Sequence, residues 1–174
     1  MLRLRPCKLA DGRFLLTWLA DERTVEFWRA DRFTWPLTQG QLDTYFRDFE
    51  ADQNAMALTA LDVRGHPCGH FSFRNISWEE NRAHMGFIVV DPAARGMGYG
   101  RRMVRQALRY AFGCLGLSAV TLGVYDCNEP ARRCYEAEGF VRIDREGFKA
   151  RRESHADGEW EYFYMEAKAG QLEQ

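Results

Sequence analysis

Three things are scarce in this sequence: long apolar runs, an excess of charge of either sign, and cysteines in pairs. No stretch approaches the ~18 consecutive apolar residues of a membrane-spanning helix, so no membrane partner is expected. Lysine and arginine number 24 against 25 acidic residues, for a formal charge of -1. That balance argues against a generic nucleic-acid or polybasic membrane binder, because both need clustered positive charge. The cysteines, Cys7, Cys68, Cys114, Cys127 and Cys134, are odd in number, with no CxxC pair and no metal-ligand spacing. They read as reduced, buried thiols of a cytoplasmic protein. The first residues, MLRLRPCKLADGRF, carry Arg3, Arg5 and Lys8 and so lack the apolar centre of a secretory signal. His155 and Asp157 in ESHADGE are two potential ligands in a charged loop, and the expectation is a solvated loop with no metal.

What is present is enough for one core. The chain has 174 residues, 46% of them hydrophobic and 14% aromatic, which predicts a single domain over residues 1–174. LRLRPC alternates as a short strand. Asp11 to Arg29 reads as a helix with Phe14, Leu15, Trp18 and Leu19 on one stripe. Thr38 opens a second helix through Leu42, Tyr45, Phe46 and Phe49. MALTALDVRGHPCGHFSFRN reads as a hairpin and RAHMGFIVVD as a central strand, apolar on both faces toward its end. After it, Met103, Val104, Ala107, Leu108 and Ala111 recur at the spacing of an amphipathic helix, with Arg101, Arg102, Arg105 and Arg109 off that face and read as mainly solvated beyond the first two. AVTLGVYD is a further strand. A helix follows over NEPARRCYEAEGF, with Asn128 as N-cap and Gly139 as its stop. Two last strands are predicted at FVRIDREGF and WEYFYME, separated by the charged loop KARRESHADGE.

Between the central strand and the amphipathic helix lies DPAARGMGYGRRM, with glycine at 96, 98 and 100. Glycine loses more backbone freedom on folding than other residues, so its repetition there points to a need for bare backbone. At a helix start that need is anion binding: the first-turn N–H groups and the helix dipole favour a phosphate. A Walker A loop fails, because Gly100 is followed by Arg101 and Arg102 rather than by Lys and Ser or Thr. A dinucleotide fingerprint also fails, because no pair of these glycines is followed by the third.

The pattern that fits is Arg-x-x-Gly-x-Gly at Arg95, Gly98 and Gly100, preceded by VVDP and followed about thirty residues later by NEPARRCYEAEGF. With both motifs in this order, the chain resembles the GNAT N-acetyltransferase superfamily over residues 54 to 145. AHMGFIVVDPAARGMGYG is most similar to the branch of ribosomal-protein N-terminal acetyltransferases and related small-amine acetylases. The resemblance implies an α/β (α+β) fold with a mixed, mostly antiparallel sheet of about seven strands and helices on both faces. It implies acetyl-CoA as cosubstrate and a primary amine, on a small molecule or a peptide N-terminus, as acceptor, in a monomer or homodimer.

The site residues follow from the same resemblance. Arg95, Gly96, Met97, Gly98, Tyr99, Gly100 and Arg101 would hold the pyrophosphate. Ile88, Val89 and Val90 would pair with the pantetheine arm as an added strand does. A strand N–H at Val89 or Val90 would meet the oxygen that becomes negative as the thioester is attacked. Asn128 would add a contact to its capping role, and Arg101 or Arg102 would meet the ribose phosphate. Tyr135 matches the acid that protonates the leaving thiolate. His84 is the candidate base, being an imidazole suited to proton transfer near neutrality, with Glu79, Glu80 or a water relay as alternatives. Glu22, Glu26, Phe27, Trp28, Asp31, Phe33 and Trp35 are candidates for holding the acceptor or for packing. Two further readings stay open: a non-catalytic acyl-CoA-binding or sensing module, and a transferase for a longer acyl group.

Overall fold

The computed structural model of the chain describes residues 2–28 and 32–171. Among them a sheet of eight strands forms the centre of the molecule. Strand β1 (Arg3–Pro6) is followed by helices α1 (Gly12–Trp18), α2 (Glu22–Trp28) and α3 (Gln39–Ala51), then by strands β2 (Met56–Leu61), β3 (Pro67–Ser77) and β4 (Arg82–Val90). Helix α4 (Tyr99–Gly113), strand β5 (Ala119–Tyr125), helix α5 (Glu129–Glu136) and strands β6 (Val141–Ile143), β7 (Arg151–His155) and β8 (Gly158–Lys168) complete the order. The strands lie as β1-β2-β3-β4-β5-β8-β6, with β7 also on β8. Every pairing is antiparallel except β4 with β5. The sheet is therefore mixed and mostly antiparallel, as expected, with one strand more than the seven anticipated.

The extra strand is β7, which the sequence presents as a charged loop. RRESH has no apolar alternation, and its strand geometry comes from pairing with β8 over Arg151 to His155. Side-chain contacts reinforce that pairing: Tyr125 Oη donates to Glu153 at 2.6 Å, and the Arg151 guanidinium lies 4.0 Å from the Tyr162 ring centre. His155 is not solvated. Its side chain is 4% exposed, stacks on Trp160 with centroids 3.7 Å apart, and lies 3.6 Å from the Glu26 carboxylate of α2. Asp157 pairs with Arg23 of the same helix at 2.6 Å.

The helix expected from Asp11 to Arg29 is broken within the described residues. Leu19 leaves helical geometry at φ -107° and ψ 43°. Asp21 restarts the chain as a cap, accepting from Thr24 N at 2.8 Å and from Thr24 Oγ1 at 2.6 Å. Thr38 caps α3 as predicted, accepting from Gln41 N at 3.3 Å.

Helices cover both faces of the sheet and make two cores. Met103, Val104, Ala107, Leu108 and Ala111 of α4 bury against one face, with Phe71, Phe73, Ala83 and Met85. Leu15, Trp18, Trp28, Leu42, Tyr45 and their neighbours in α1 to α3 bury against the other, with Phe87 and Val89. The change of face along β4 has a local cause. Between the pairs Ser72↔Gly86 and His70↔Val89, β4 advances three residues while β3 advances two. Phe87 takes up the extra residue at φ +50°. This is a β-bulge, and beyond it the strand's alternation is inverted.

A polar chain crosses the second core. Tyr45 Oη and His70 Nε2 are 2.8 Å apart, His70 Nδ1 is 3.6 Å from Cys7 Sγ, and Thr59 Oγ1 donates to Asp11 Oδ2 at 2.8 Å. Burial pushes the His70 pKa from 6.5 down to about 3 against the opposing pull of Asp11. His84 is likewise lowered from 6.5 to about 3, by burial and then by the charge of Arg74. Unfolded histidines take up protons as pH falls through 6.5, and these two refuse them until about 3. The unfolded chain then binds more protons, so this stability is present above 6.5 and is lost as pH falls toward 3. Urea midpoints should drop across that window, and His70→Asn should lessen the drop by the equivalent of about one proton. An acid limb of unchanged steepness in the variant rejects this assignment.

Candidate active site

Parallel strands β4 and β5 pair at only three positions, Arg82↔Ala119, Ala83↔Val120 and His84↔Thr121. Beyond these the strands part. From Met85 to Val90 the β5-facing edge of β4 has no partner strand among the described residues, while its other edge stays paired with β3. Each strand then leads, at its carboxyl end, into the N-terminus of a helix: β4 into α4 through the glycine turn, and β5 into α5 at Asn128. The wedge between the strands is thus bordered by unpaired backbone along β4 and by two helix N-termini at its open end.

The glycine turn has a conformational reason for two of its glycines. Gly96 and Gly98 have φ of +73° and +75°, the left-handed region that glycine enters without steric cost. Gly98 is the N-cap of α4, and the first helical bond runs from Arg102 N to Gly98 O at 3.1 Å. The amides of residues 99–101 lie ahead of that bond. Gly100 has another reason. A Cβ there would lie 3.6 Å from Val90 Cγ2 and 3.8 Å from Cys134 Sγ, so anything larger than a methyl group meets the end of β4 and helix α5. These residues make a cradle of the kind that fits a pyrophosphate.

The expected site residues are brought together in part. Ile88, Val89 and Val90 are the end of β4, and Arg95 turns its Nε to the Val90 carbonyl at 3.4 Å. Met97 is exposed at the turn. Tyr99 and Gly100 start α4. Tyr135 projects from α5 into the core, its ring centre 5.9 Å from that of Phe140, and burial raises its pKa so that the phenol keeps its proton through the neutral range. Asn128 occupies the N-cap position of α5, but its side chain makes no capping bond.

Arg101 and Arg105 have a partner that the sequence did not indicate. Both reach the buried carboxylate of Glu138, at 2.5 and 2.8 Å, and tie the start of α4 to the residues after α5. Arg101 is therefore held structurally by its side chain and Arg105 is not merely solvated. Arg102 remains at the helix start, with its guanidinium 5.8 Å from the Tyr99 ring centre.

On the face of the sheet opposite α4, a pocket of about 490 Å³ opens beside the three paired positions of β4 and β5. Arg74, His84, Thr121, Phe148, Tyr162 and Tyr164 line it. His84 Nδ1 is 3.1 Å from Thr121 Oγ1, and that hydroxyl donates to the Ala83 carbonyl at 3.4 Å. The hydroxyl oxygen then accepts from Nδ1–H, which assigns Nε2 as the lone-pair nitrogen. The imidazole was expected to titrate near neutrality, but burial and Arg74 depress it to about 3, so it is neutral and weakly basic. Glu80 borders the same pocket, paired with Arg82 at 3.0 Å.

The aromatic segment after α2 is mostly core. Trp28 and Phe33 pack on each other at 4.6 Å and on Phe87, while Phe27 lies 5.3 Å from Trp160. Trp35 is exposed, Glu26 faces His155, and Glu22 is exposed at the start of α2. Asp31 lies outside the described residues. Among the described residues no group of three His, Cys, Asp or Glu side chains is placed to hold a metal, and no helix is long and apolar enough to cross a membrane.

The profile of the Acetyltransferase (GNAT) family matches residues 18–140. Solved structures resemble the whole chain. A spermidine N-acetyltransferase from Vibrio cholerae, in complex with CoA and spermine, superposes with a TM-score of 0.82 at 22% identity, covering 99% of this chain and 98% of that one. A chimera of the Vibrio cholerae enzyme and hSSAT gives 0.81 at 22% identity, over 98% and 97%. A dodecameric structure of the Vibrio cholerae enzyme gives 0.75 at 21% identity, over 99% and 96%.

Proposed function

Because the chain belongs to the GNAT acetyltransferase family, an acyltransferase family that uses acetyl-CoA, we propose that it moves the acetyl group to a primary amine in a ternary complex. The observation that carries this reading is the parting of β4 from β5 after three residue pairs, with the glycine turn at the open end. The glycine-turn amides of residues 95–101 hold the pyrophosphate, and the open edge of β4 at Ile88 to Val90 pairs with the amide-bearing arm. Acetyl-CoA supplies an activated acetyl carbon. The amine nitrogen forms a bond to that carbon as its bond to sulfur breaks, one proton leaves the amine, and one is taken up by sulfur.

In this reading the protein's residues manage charge and protons. A backbone N–H at Val89 or Val90 stabilises the oxygen on which charge develops. Tyr135, protonated in its buried setting, gives its proton to the departing sulfur. His84 takes the amine proton at Nε2 and, being weakly basic, passes it onward rather than keeping it. The side chain of Asn128, which makes no cap, contacts the cofactor arm. Arg102 reads the ribose phosphate in place of Arg101, whose side chain Glu138 holds.

The acceptor is a small-molecule amine or a peptide N-terminus. The structures named above are of spermidine N-acetyltransferases, so a ribosomal-protein acceptor rests on the motif resemblance alone. The five unpaired thiols support a cytoplasmic setting. The proposed machinery lies within one chain, in keeping with a monomer or homodimer, although one neighbour is a dodecamer.

The test is thiol release from acetyl-CoA across amino acids, peptides, polyamines and aminoglycosides, alongside calorimetric binding of coenzyme A and its dephospho form. Release with at least one amine class is expected. Arg102→Ala should narrow the preference for the phosphorylated form on the order of 10-fold. Binding without turnover on any amine supports the sensing-module reading, and no binding removes both.

A further inference from the structure

The pocket beside the paired positions of β4 and β5, which holds His84, also holds a cation that acetyl transfer as such does not employ. Arg74 projects from β3 onto the open face, its guanidinium carbon 5.1 Å from the centre of the Phe87 ring. Its Nε is buried and has no hydrogen-bond partner. Nearby arginines each have a carboxylate: Arg82 has Glu80, Arg145 has Glu166 and Arg151 has Glu153. Among the described residues Arg74 has none. With Glu80 and Arg82 neutralising each other, the pocket keeps one positive charge that no described residue compensates. That charge is felt by the groups around it, lowering His84 and opposing the burial-driven rise of Tyr162.

A partly buried guanidinium left without an anion is unusual, because charges withdrawn from water are ordinarily paired. Its planar fork of donors matches a carboxylate. Phe148, Tyr162 and Tyr164 make one part of the pocket's wall aromatic, with Asn75 and Ser77 polar on the β3 side. We infer that the acceptor amine carries a carboxylate on an apolar body, as a free amino acid does, and that Arg74 is the specificity-determining residue that binds this carboxylate and presents the amine to His84. This rests on the acetyl-transfer reading. A polyamine brings only positive charge to a pocket that is already positive. A peptide N-terminus has an amide where the amino acid has its carboxylate. Arg74 also favours the neutral, nucleophilic form of an amine bound near it, by the Coulomb effect it exerts on His84.

The experiment compares kcat/KM for the common L-amino acids, their amides, the corresponding decarboxylated amines, 2-aminoethylphosphonate and spermidine. It is paired with calorimetric binding of the N-acetyl amino acids and their amides to the CoA-bound protein. An apolar amino acid should exceed its amide and amine on the order of 10²-fold in kcat/KM, its N-acetyl form should exceed the N-acetyl amide similarly in binding, and Arg74→Gln should erase both ratios while acetyl-CoA affinity is kept. Arg74→Lys should restore part of it, which separates a charge effect from a folding defect. Equal or better use of the amide, of spermidine or of the phosphonate overturns the proposal. So does an undiminished ratio in Arg74→Gln, or no acetylation of any amino acid by protein that binds acetyl-CoA. Failure to bind acetyl-CoA removes the acetyl-transfer reading beneath it and is seen separately, in the titration without acceptor.

Discussion

Replacing both Gly98 and Gly100 by valine should abolish acetyl-CoA binding while the fold survives. The two positions fail for different reasons. At Gly98, φ is +75° and no atom lies within 4 Å of an added Cβ, so valine meets no clash but is forced into a left-handed conformation and stands in front of the first-turn amides. That strain costs on the order of 1–3 kcal/mol, which a domain of this size survives. At Gly100 a Cβ is accommodated, 3.6 Å from Val90 Cγ2 and 3.8 Å from Cys134 Sγ, but the branches of valine fill the gap between β4 and α5. Calorimetry should show affinity reduced by more than about 100-fold, more than the loss of any one hydrogen bond would give. Circular dichroism should retain the native spectrum. Gly100→Ala should bind nearly as well as wild type. Wild-type affinity in the double variant removes the glycine turn from the cofactor site.

The second large effect belongs to Tyr135. Tyr135→Phe keeps the ring, its burial and its 5.9 Å contact with Phe140, and deletes one hydroxyl. Single-turnover acetyl transfer should slow on the order of 10²-fold or more, the usual size of a general-acid contribution. Acetyl-CoA affinity should stay within about twofold, because the binding contacts proposed for the glycine turn and β4 are untouched. A wild-type rate under conditions where chemistry limits turnover assigns Tyr135 to packing alone.

The parts of this architecture that were legible in the sequence are those with local causes. Helix α4 announces itself through a buried stripe that meets the core at the predicted residues, and the glycine turn through three glycines in five positions. Strand β7 was hidden because its residues are charged on both faces and its conformation is imposed by β8. Helices α1 and α2 looked like one because Leu19 continues the apolar stripe, and only the cap formed by Asp21 reveals the break. Side-chain partners across long separations were the least accessible. Nothing near Arg101 and Arg105 indicates that Glu138 will hold both, and the alternation that puts Arg74 on the open face is silent about its missing carboxylate.

The bulge at Phe87 sets a rule for how this strand tolerates change. Before it, Ala83 and Met85 belong to the core under α4; after it, Phe87 and Val89 belong to the core under α1 to α3, while Ile88 and Val90 turn toward α4. One residue therefore acts as a phase shift in a period of two. Conservative substitutions along β4 change single contacts, and losing Phe87 would remove the bulge and its ring but leave Ile88, Val89 and Val90 on their present faces; losing a residue from a regularly paired stretch, such as Met85, would instead exchange the destinations of the side chains on one side of the gap. Away from the bulge, the length of this strand is under tighter constraint than its composition. The one change of count that spares the faces beyond it is loss of the bulge residue itself.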